Sequence, residues 1–501
     1  MLEGLLLGIQ SIFEPQHFLV LLIGVFVGFI GGALPGVSGT MLIIIVLPIT
    51  YGMEPISAFI LLTTIYVACV FSGMITAILF RVPGTPESVA TVFDGYPMTQ
   101  QGKAGQALGI AVLSSATGGM VGAIFLIFLA PILATFALQF SAPEYFALAI
   151  LGLTVVATLS GGDLIRGIIG VTIGLFIATI GMDPLSGIPR FTFENASLLS
   201  GVDFIPILAG LFAVSEVLRR SRDDHSLKDT FQKFKTKIFD FPIIKKILAT
   251  LGRSSLLGSA IGVLPGVGAT TAAMLSYSEA VRWSKHPEKF GKGAPEGIAA
   301  PESANNSAAV SAMVPLLSLG LPGGATTAVI LGAFIMHGLQ PGPMLFTNEP
   351  QLVYTIIISM LIINILMIIF AKPFIAVFSK IMNIPYSVMG PVILLLCVIG
   401  TFAVRNSMFD VWIMLLFGLI GFYFDKIKFP LATIILGVVL GPIAEEEFRR
   451  GLLMAGGDLS IFITRPISAT LLILALLALT FPLIKRLFKR NTHSAAPNIK
   501  T

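Results

Sequence analysis

Charge is scarce in this sequence: 11% of its 501 residues are Asp, Glu, Lys or Arg, against roughly a quarter in a soluble chain. That scarcity excludes a water-exposed globule of this length. Cysteine is scarcer, with two in the chain, so neither a disulfide framework nor a Cys-rich zinc cluster can be built. Cys69 and Cys397 fall inside apolar runs and read as small core side chains. Of five histidines, His17, His225, His286 and His493 lie in loops or tails, and His337 ends an apolar run without a partner at ligand spacing. No metal site is indicated. The loop G-x-x-x-x-G-K-[ST] is missing, which excludes ATP hydrolysis by this chain, and neither H-E-x-x-H nor G-x-S-x-G occurs. No Lys or Arg precedes the first apolar stretch. The basic region of a cleaved signal peptide is thus lacking, and the first span is expected to stay in the mature protein.

What is present is apolar: 55% hydrophobic residues, with 51 Gly and 30 Pro. The mean hydropathy is +0.94. Apolar runs recur from Phe18 to Ile484, and a spanning helix needs about 20 such residues, which leaves room for about a dozen spans. The fold class expected is an all-α polytopic membrane protein. A β-barrel is excluded, because barrel strands alternate apolar and polar residues in segments of about ten. The net charge of +5 does not argue for nucleic acid, since the Lys and Arg residues flank apolar spans, where they set topology.

The chain also carries an internal echo. GALPGVSGT at 32–40 returns as GVLPGVGAT at 262–270, with six of nine positions identical. SGMITAILFRVPG at 72–84 aligns with SAMVPLLSLGLPG at 311–323, and VLRR at 217–220 with EFRR at 447–450. Three ordered matches argue for duplication. The central loop 216–255 holds ten Lys or Arg and the tail 485–501 holds five, so both are expected in the cytoplasm, with the N-terminus periplasmic. Equivalent loops carry opposite charge bias: 51–56 has no Lys or Arg where 282–295 has four, and 94–106 has Lys103 where 338–351 has none. That is the signature of inverted-topology repeats. The organisation expected is a first transmembrane repeat over 1–215, a basic cytoplasmic linker over 216–255, a second repeat over 256–466, and an extra span with a basic tail over 467–501.

Proline and glycine concentrate at four places within the apolar runs: Pro35-Gly36, Pro83-Gly84, Pro265-Gly266 and Pro322-Gly323-Gly324. Proline removes a backbone donor and clashes with the preceding turn, so each place is expected to break a helix or form a re-entrant hairpin. Small hydroxyl residues follow each break. A half-helix starting there offers free N–H groups and a positive dipole end to a carboxylate, while hydroxyls and carbonyls can ligate a cation. At any one site a kink beside close helix packing is the favoured reading; four sites in symmetric register favour function.

A second cluster, GAPEGIAAPESANNSAAVSA at 293–312, sets Asn305 and Asn306 beside Ser303 and Ser307. Amides near hydrocarbon require polar partners; a capped loop-to-helix junction is the alternative. Glu296 and Glu302 each follow a proline, which suggests first-turn carboxylates with a structural role. Glu87 is a proton carrier or a first-turn carboxylate. Asp94 and Lys103, in DGYPMTQQGKAG, are expected in a solvated cytoplasmic turn.

These residues carry a resemblance. GALPGVSGT, AILFRVPGTPESVATVFDGYPMTQQGKAGQALGIA, GAPEGIAAPESANNSAA, LGLPGGATTAVILGAFIMHGLQPGPMLF and GPIAEEEFRRGLL resemble the large membrane subunit of bacterial tripartite tricarboxylate transporters, over about Gly31 to Ala469. The resemblance implies a cell inner-membrane importer of organic acids, including citrate and other di- or tricarboxylates. It implies as partners a small four-span membrane subunit and a periplasmic solute-binding protein, and as coupling cation Na⁺ or H⁺. The chain departs from the family pattern at VACVFSGMITAIL, 67–79, and at Arg81, where relatives tend to be neutral; a salt bridge from Arg81 to Glu87 is one explanation. No cofactor is expected, and no enzymatic activity: an intramembrane enzyme would need a His near a Ser, or paired Asp residues within spans. A passive anion channel stays open as an alternative. The residues expected to touch substrate are Pro35, Gly36, Ser38, Gly39 and Thr40; Gly84, Thr85, Glu87 and Ser88; Asn305, Asn306 and Ser307; and Gly323, Gly324, Thr326 and Thr327. Gly266, Thr270 and Thr271 are assigned to the cation.

Overall fold

The computed structural model describes residues 1–34, 37–159, 164–183, 186–221, 241–381 and 386–493. Pro35 and Gly36, residues 222–240 of the basic linker and the tail from 494 onward lie outside them. The described chain is all-α apart from one two-residue hairpin.

In chain order, α1 (Leu2–Ile12), α2 (Pro15–Ala33), α3 (Gly39–Thr50) and α4 (Pro55–Phe80) lead to a 3-10 turn (Pro86–Ser88), α5 (Val92–Gln100) and α6 (Ala104–Ala137). Next come α7 (Ala142–Leu159), α8 (Leu164–Ala178) and the strands β1 (Gly181–Met182) and β2 (Pro189–Arg190). There follow α9 (Phe204–Leu208), a π turn (Ala209–Val214), α10 (Ser215–Arg220), α11 (Phe241–Gly262), α12 (Gly268–Trp283), α13 (Pro295–Ser311), α14 (Met313–Leu319) and α15 (Ala325–Met336). The chain closes with α16 (Pro343–Asn348), α17 (Pro350–Ile381), α18 (Tyr386–Arg405), α19 (Met408–Lys426), α20 (Leu431–Met454), α21 (Ile461–Thr464) and α22 (Pro466–His493). Many of these helices start on proline, whose fixed φ suits the first turn and whose missing N–H costs nothing there. Five described helices are long and apolar enough to cross a membrane: α2, α4, α6, α17 over Pro350–Ala376, and α19. Among the described residues seven further helices show apolar stretches of 10–17 residues.

The chain folds as two compact units, one of residues 1–138 and 203–423, the other of 139–202 and 424–501. In the smaller unit α7, α8, α20 and α22 pack together, tied by ion pairs from Arg465 to Glu144 at 2.6 Å, Arg190 to Glu445 at 2.6 Å and Arg449 to Asp183 at 2.8 Å.

In the larger unit two helices are wrapped on all sides, α4 and α13. Glycines permit this. Gly24, Gly28 and Gly32 form a smooth stripe on α2; a Cβ on Gly32 would stand 2.1 Å from the Cys69 carbonyl oxygen of α4. Gly118 and Gly122 of α6 and Gly258 and Gly262 of α11 lie equally close to the backbone of α13. Without a side chain in the way, apolar helices approach until their backbones touch, which is how helices associate in lipid. As a result α13 is buried from residue 297 to residue 311, although it carries Glu302, Ser303, Asn305, Asn306 and Ser307.

Candidate substrate and ion site

Each of the four Pro-Gly places separates two helical elements. Helix α2 ends at Ala33 and α3 begins at Gly39; α4 ends at Phe80 before the turn at 86–88; α11 ends at Gly262 and α12 begins at Gly268; α14 ends at Leu319 and α15 begins at Ala325. The local chemistry of the second and fourth is the same. Thr85 N donates to Ser88 Oγ at 3.4 Å and Ser88 Oγ to Thr85 O at 2.8 Å. The Gly324 amide donates to Thr327 Oγ1 at 2.8 Å, and that hydroxyl donates to Gly324 O at 2.9 Å. In both, a hydroxyl three residues into the turn satisfies a helix-start donor that has no partner within the helix. Ser38 does similar work at the first break, accepting from Met41 N at 3.1 Å.

The breaks meet. Thr40 Oγ1 and Thr326 Oγ1 are 2.7 Å apart, joining the first to the fourth. A Cβ on Gly324 would lie 3.4 Å from Gly268 Cα, which sets the fourth beside the third. Gly84 packs so closely on the end of α2 that a Cβ there would stand 2.2 Å from Gly32 O. The 3-10 turn packs on α12 and α13. Of the residues expected at the site, Gly39, Thr40, Gly84, Thr85, Ser88, Gly323, Thr326 and Thr327 are buried at these junctions. Glu87 and Gly324 are partly buried.

Helix α13 meets the second break through its amides. Asn305 Nδ2 donates to the Glu87 carbonyl at 3.1 Å. Asn306 Nδ2 donates to Asn305 Oδ1 at 2.8 Å and to Glu302 O at 3.2 Å. Ser307 points elsewhere: its hydroxyl donates to Ser255 O of α11 at 2.7 Å and lies 2.5 Å from Ser259 Oγ. The structure does not bring it to the junction. Of the residues assigned to the cation, Gly266 is left-handed with φ +80°, and Thr270 and Thr271 are partly buried on α12.

Three sequence expectations change. Glu302 is not at a helix start, because α13 already begins at Pro295 and simply contains Pro301. The Glu302 carboxylate is fully buried, taking Thr91 Oγ1 at 2.5 Å and Ser115 Oγ at 2.7 Å. For the same reason Asn305 and Ser303 do not cap a junction. Asp94 is no solvated turn: fully buried, it accepts from Tyr277 Oη at 2.9 Å, Gly293 N at 2.8 Å and Ala294 N at 2.7 Å. It therefore caps α13 from another element, where a carboxylate also favours the helix dipole. Finally, Arg81 is exposed and stands over the Tyr96 ring at 6.0 Å, and no ion pair joins it to Glu87 among the described residues. Composition could have hinted at Glu302 and Asp94 only as charges that recur in otherwise apolar surroundings.

Fold and site together define an integral membrane protein of interrupted helices with its polar groups gathered inside, the build of a solute permease. The chain belongs to the tripartite tricarboxylate transporter TctA family, which it matches over residues 18–436. It is thus a member of a transporter family, not an enzyme family, and the family implies a system of three components, with a small membrane subunit and a periplasmic binding protein. Among its relatives is a protein of Agrobacterium vitis described as "Uncharacterized 52.8 kDa protein in TAR-I ttuC' 3'region", 38% identical over 484 residues, 97% of this chain and 96% of the relative. Another from Agrobacterium vitis, "Uncharacterized protein in TAR-II ttuC' 3'region", is 42% identical over 227 residues, 45% of this chain and 94% of the relative. No solved structure matches the chain.

Proposed function

We propose that the protein imports di- and tricarboxylates such as citrate across the bacterial inner membrane by alternating access, drawing on a Na⁺ or H⁺ gradient. The observation that carries this reading is the meeting of the four helix interruptions, with Thr40 against Thr326 and Asn305 against the Glu87 carbonyl. Helix starts with free N–H groups stabilise carboxylates, and a buried setting strengthens that attraction. The substrate is held by Gly39, Thr40, Gly84, Thr85, Ser88, Thr326 and Thr327, with Asn305 and Asn306 as amide donors or acceptors. The two sequence halves act as inverted repeats, with the central linker and C-terminus in the cytoplasm. A four-span subunit and a periplasmic binding protein complete the system, the latter delivering the acid.

Reconstitution tests it. In proteoliposomes holding the permease with its two partners, labelled citrate should exchange in counterflow that saturates and depends on an imposed cation gradient. Flux that neither saturates nor responds to the gradient identifies a channel and removes the proposal.

A further inference from the structure

A cavity of about 480 Å³ opens between α11 and the loop that joins α12 to α13. Helices α11 and α12 form a hairpin around the third interruption, and the cavity lies at the opposite end of it, where α11 begins and α12 has ended. Lys246 of α11 lines it together with Lys289 and Lys292 of the loop, and with Glu288 and Glu296. The carboxylates have partners: Glu296 lies 3.4 Å from Lys246 Nζ, and Glu288 lies 3.2 Å from His286 Nδ1. Lys289 and Lys292 have no ion pair among the described residues, nor do Lys245 and Lys285 next to the rim. Positive charge is therefore in excess there.

The loop that carries these lysines is held in shape. Gly293 takes φ +100°, a backbone conformation that glycine adopts freely. The amides of Gly293 and Ala294 donate to the buried Asp94 carboxylate at 2.8 and 2.7 Å, and Gln101 Nε2 donates to Lys292 O at 2.8 Å. The backbone of Lys292 is thus fastened through its own carbonyl and through the residue that follows it. Ligands bind more tightly to groups that need no ordering.

The apolar surroundings select the kind of anion. Phe241, Leu248 and Leu256 of α11 are exposed, as are Met274, Leu275 and Trp283 of α12. Lys246 and Arg253 lie seven residues apart, two turns along one face of α11, and the Arg253 guanidinium stands over the Trp283 ring at 5.7 Å. An apolar helical surface that ends in tryptophan and unpaired lysines matches a bilayer edge, with acyl chains along the helices and phosphates beside the cations. A soluble anion gains nothing from the exposed Leu and Trp side chains. We propose that this cavity binds an anionic phospholipid, its phosphate against Lys246, Lys289 and Lys292 and its acyl chains along α11 and α12. Because Ala294 and Pro295 also line the cavity, the head group bridges α11 to the start of α13. This site is separate from the transport reading above and stands whether or not that reading holds.

The test is thermal unfolding of the purified full-length protein in detergent, titrated at constant ionic strength with phosphatidylglycerol, phosphatidylcholine, inorganic phosphate or citrate. A ligand that binds only the native state raises the midpoint in a saturable way. Phosphatidylglycerol should do so, and the other three should not. Lys289→Gln with Lys292→Gln removes two exposed charges without disturbing the packing, and should weaken the apparent phosphatidylglycerol affinity by about 30-fold. Lys372→Gln with Lys428→Gln removes the same charge elsewhere and should leave that affinity unchanged. Equal shifts with phosphatidylcholine would overturn the site, and a saturable shift with phosphate or citrate would make it a soluble-anion site instead. An affinity untouched by the Lys289 and Lys292 substitutions, or lowered equally by both pairs, would reduce the effect to diffuse attraction and overturn the proposal as well.

Discussion

Helices α4 and α13 are buried over residues 57–78 and 297–311, yet they fill their sheaths with different chemistry. The match of 72–84 with 311–323, carried back along the chain, sets α4 (Pro55–Phe80) beside α13 and α14 (Pro295–Leu319). Where the first reads Thr63, Thr64, Tyr66 and Val67, the second reads Glu302, Ser303, Asn305 and Asn306. Thr63 satisfies itself within its own helix, donating to Phe59 O at 2.6 Å. Glu302 and Asn305 cannot, and reach Thr91, Ser115 and the Glu87 carbonyl on other elements. A helix whose Glu302 carboxylate and Asn305 amide are satisfied by other elements holds those elements in place. Under the proposed function, α4 supports the site and the amides of α13 meet the substrate.

The largest effect expected follows from emptying that difference. Asn305→Ala with Asn306→Ala makes α13 resemble α4 in polarity and leaves the Glu87 carbonyl without its donor. A lost buried hydrogen bond costs about 1–3 kcal/mol, so citrate uptake in proteoliposomes should fall by about fivefold to 150-fold while the protein still inserts. Unchanged uptake would remove both amides from the site.

Next in size is Glu302. Replacing it by Leu strands the hydroxyls of Thr91 and Ser115, and the thermal midpoint in detergent should drop by the equivalent of about 2–3 kcal/mol. Glu302→Gln keeps an acceptor and should lose less than half as much. Equal losses would show that the carboxylate is held by packing alone. The corresponding substitution in the other helix, Thr63→Val, deletes only a self-satisfied bond and should cost under about 1 kcal/mol.

These residues also mark how far the sequence can be read. The four breaks were legible because proline and glycine act locally, through the chain's own backbone, and helices do end there. The amides were legible because Asn is out of place among Ala and Val. Glu302 was misplaced because a proline before it looks like a helix start, whereas Pro301 lies inside a helix begun at Pro295. Asp94 was misplaced because its surroundings, Gly95, Tyr96 and Pro97, have the composition of a loop, while its three donors come from residues 183 to 200 positions away. The Thr40–Thr326 contact spans 286 positions. Pairings of that kind are set by tertiary packing and leave no periodicity to detect.

Close packing at the breaks gives a third test. Gly84→Ala would put a methyl 2.2 Å from Gly32 O and 2.8 Å from Gly73 Cα, both backbone. Overpacking of this kind costs about 1–3 kcal/mol, and the midpoint should fall accordingly. Gly324→Ala meets Gly268 Cα at an ordinary 3.4 Å and should be nearly neutral for stability. If the two variants behave alike, the tight approach of the second break to α2 is not a constraint on the fold.

The smallest effect separates the two matched helix ends. Arg81 closes α4 with φ 61° and ψ 16°, and Gly320, its partner in the sequence match, closes α14 with φ 71° and ψ 19°. The backbone does the same thing twice, but only glycine adopts that conformation freely; another residue gives up about 1 kcal/mol or more. Arg81→Gly should recover that strain, less about 0.5 kcal/mol for the lost contact with the Tyr96 ring. The net result is a midpoint raised by a degree or so at most. Gly320→Ala runs the other way: its Cβ would stand 2.7 Å from Pro341 O, so strain and collision add and the midpoint should fall. A stabilising Arg81→Gly that leaves uptake unchanged would mean the arginine has no part in transport. Impaired uptake in a variant of equal or greater stability would instead give that exposed charge a role in drawing the anion toward the break.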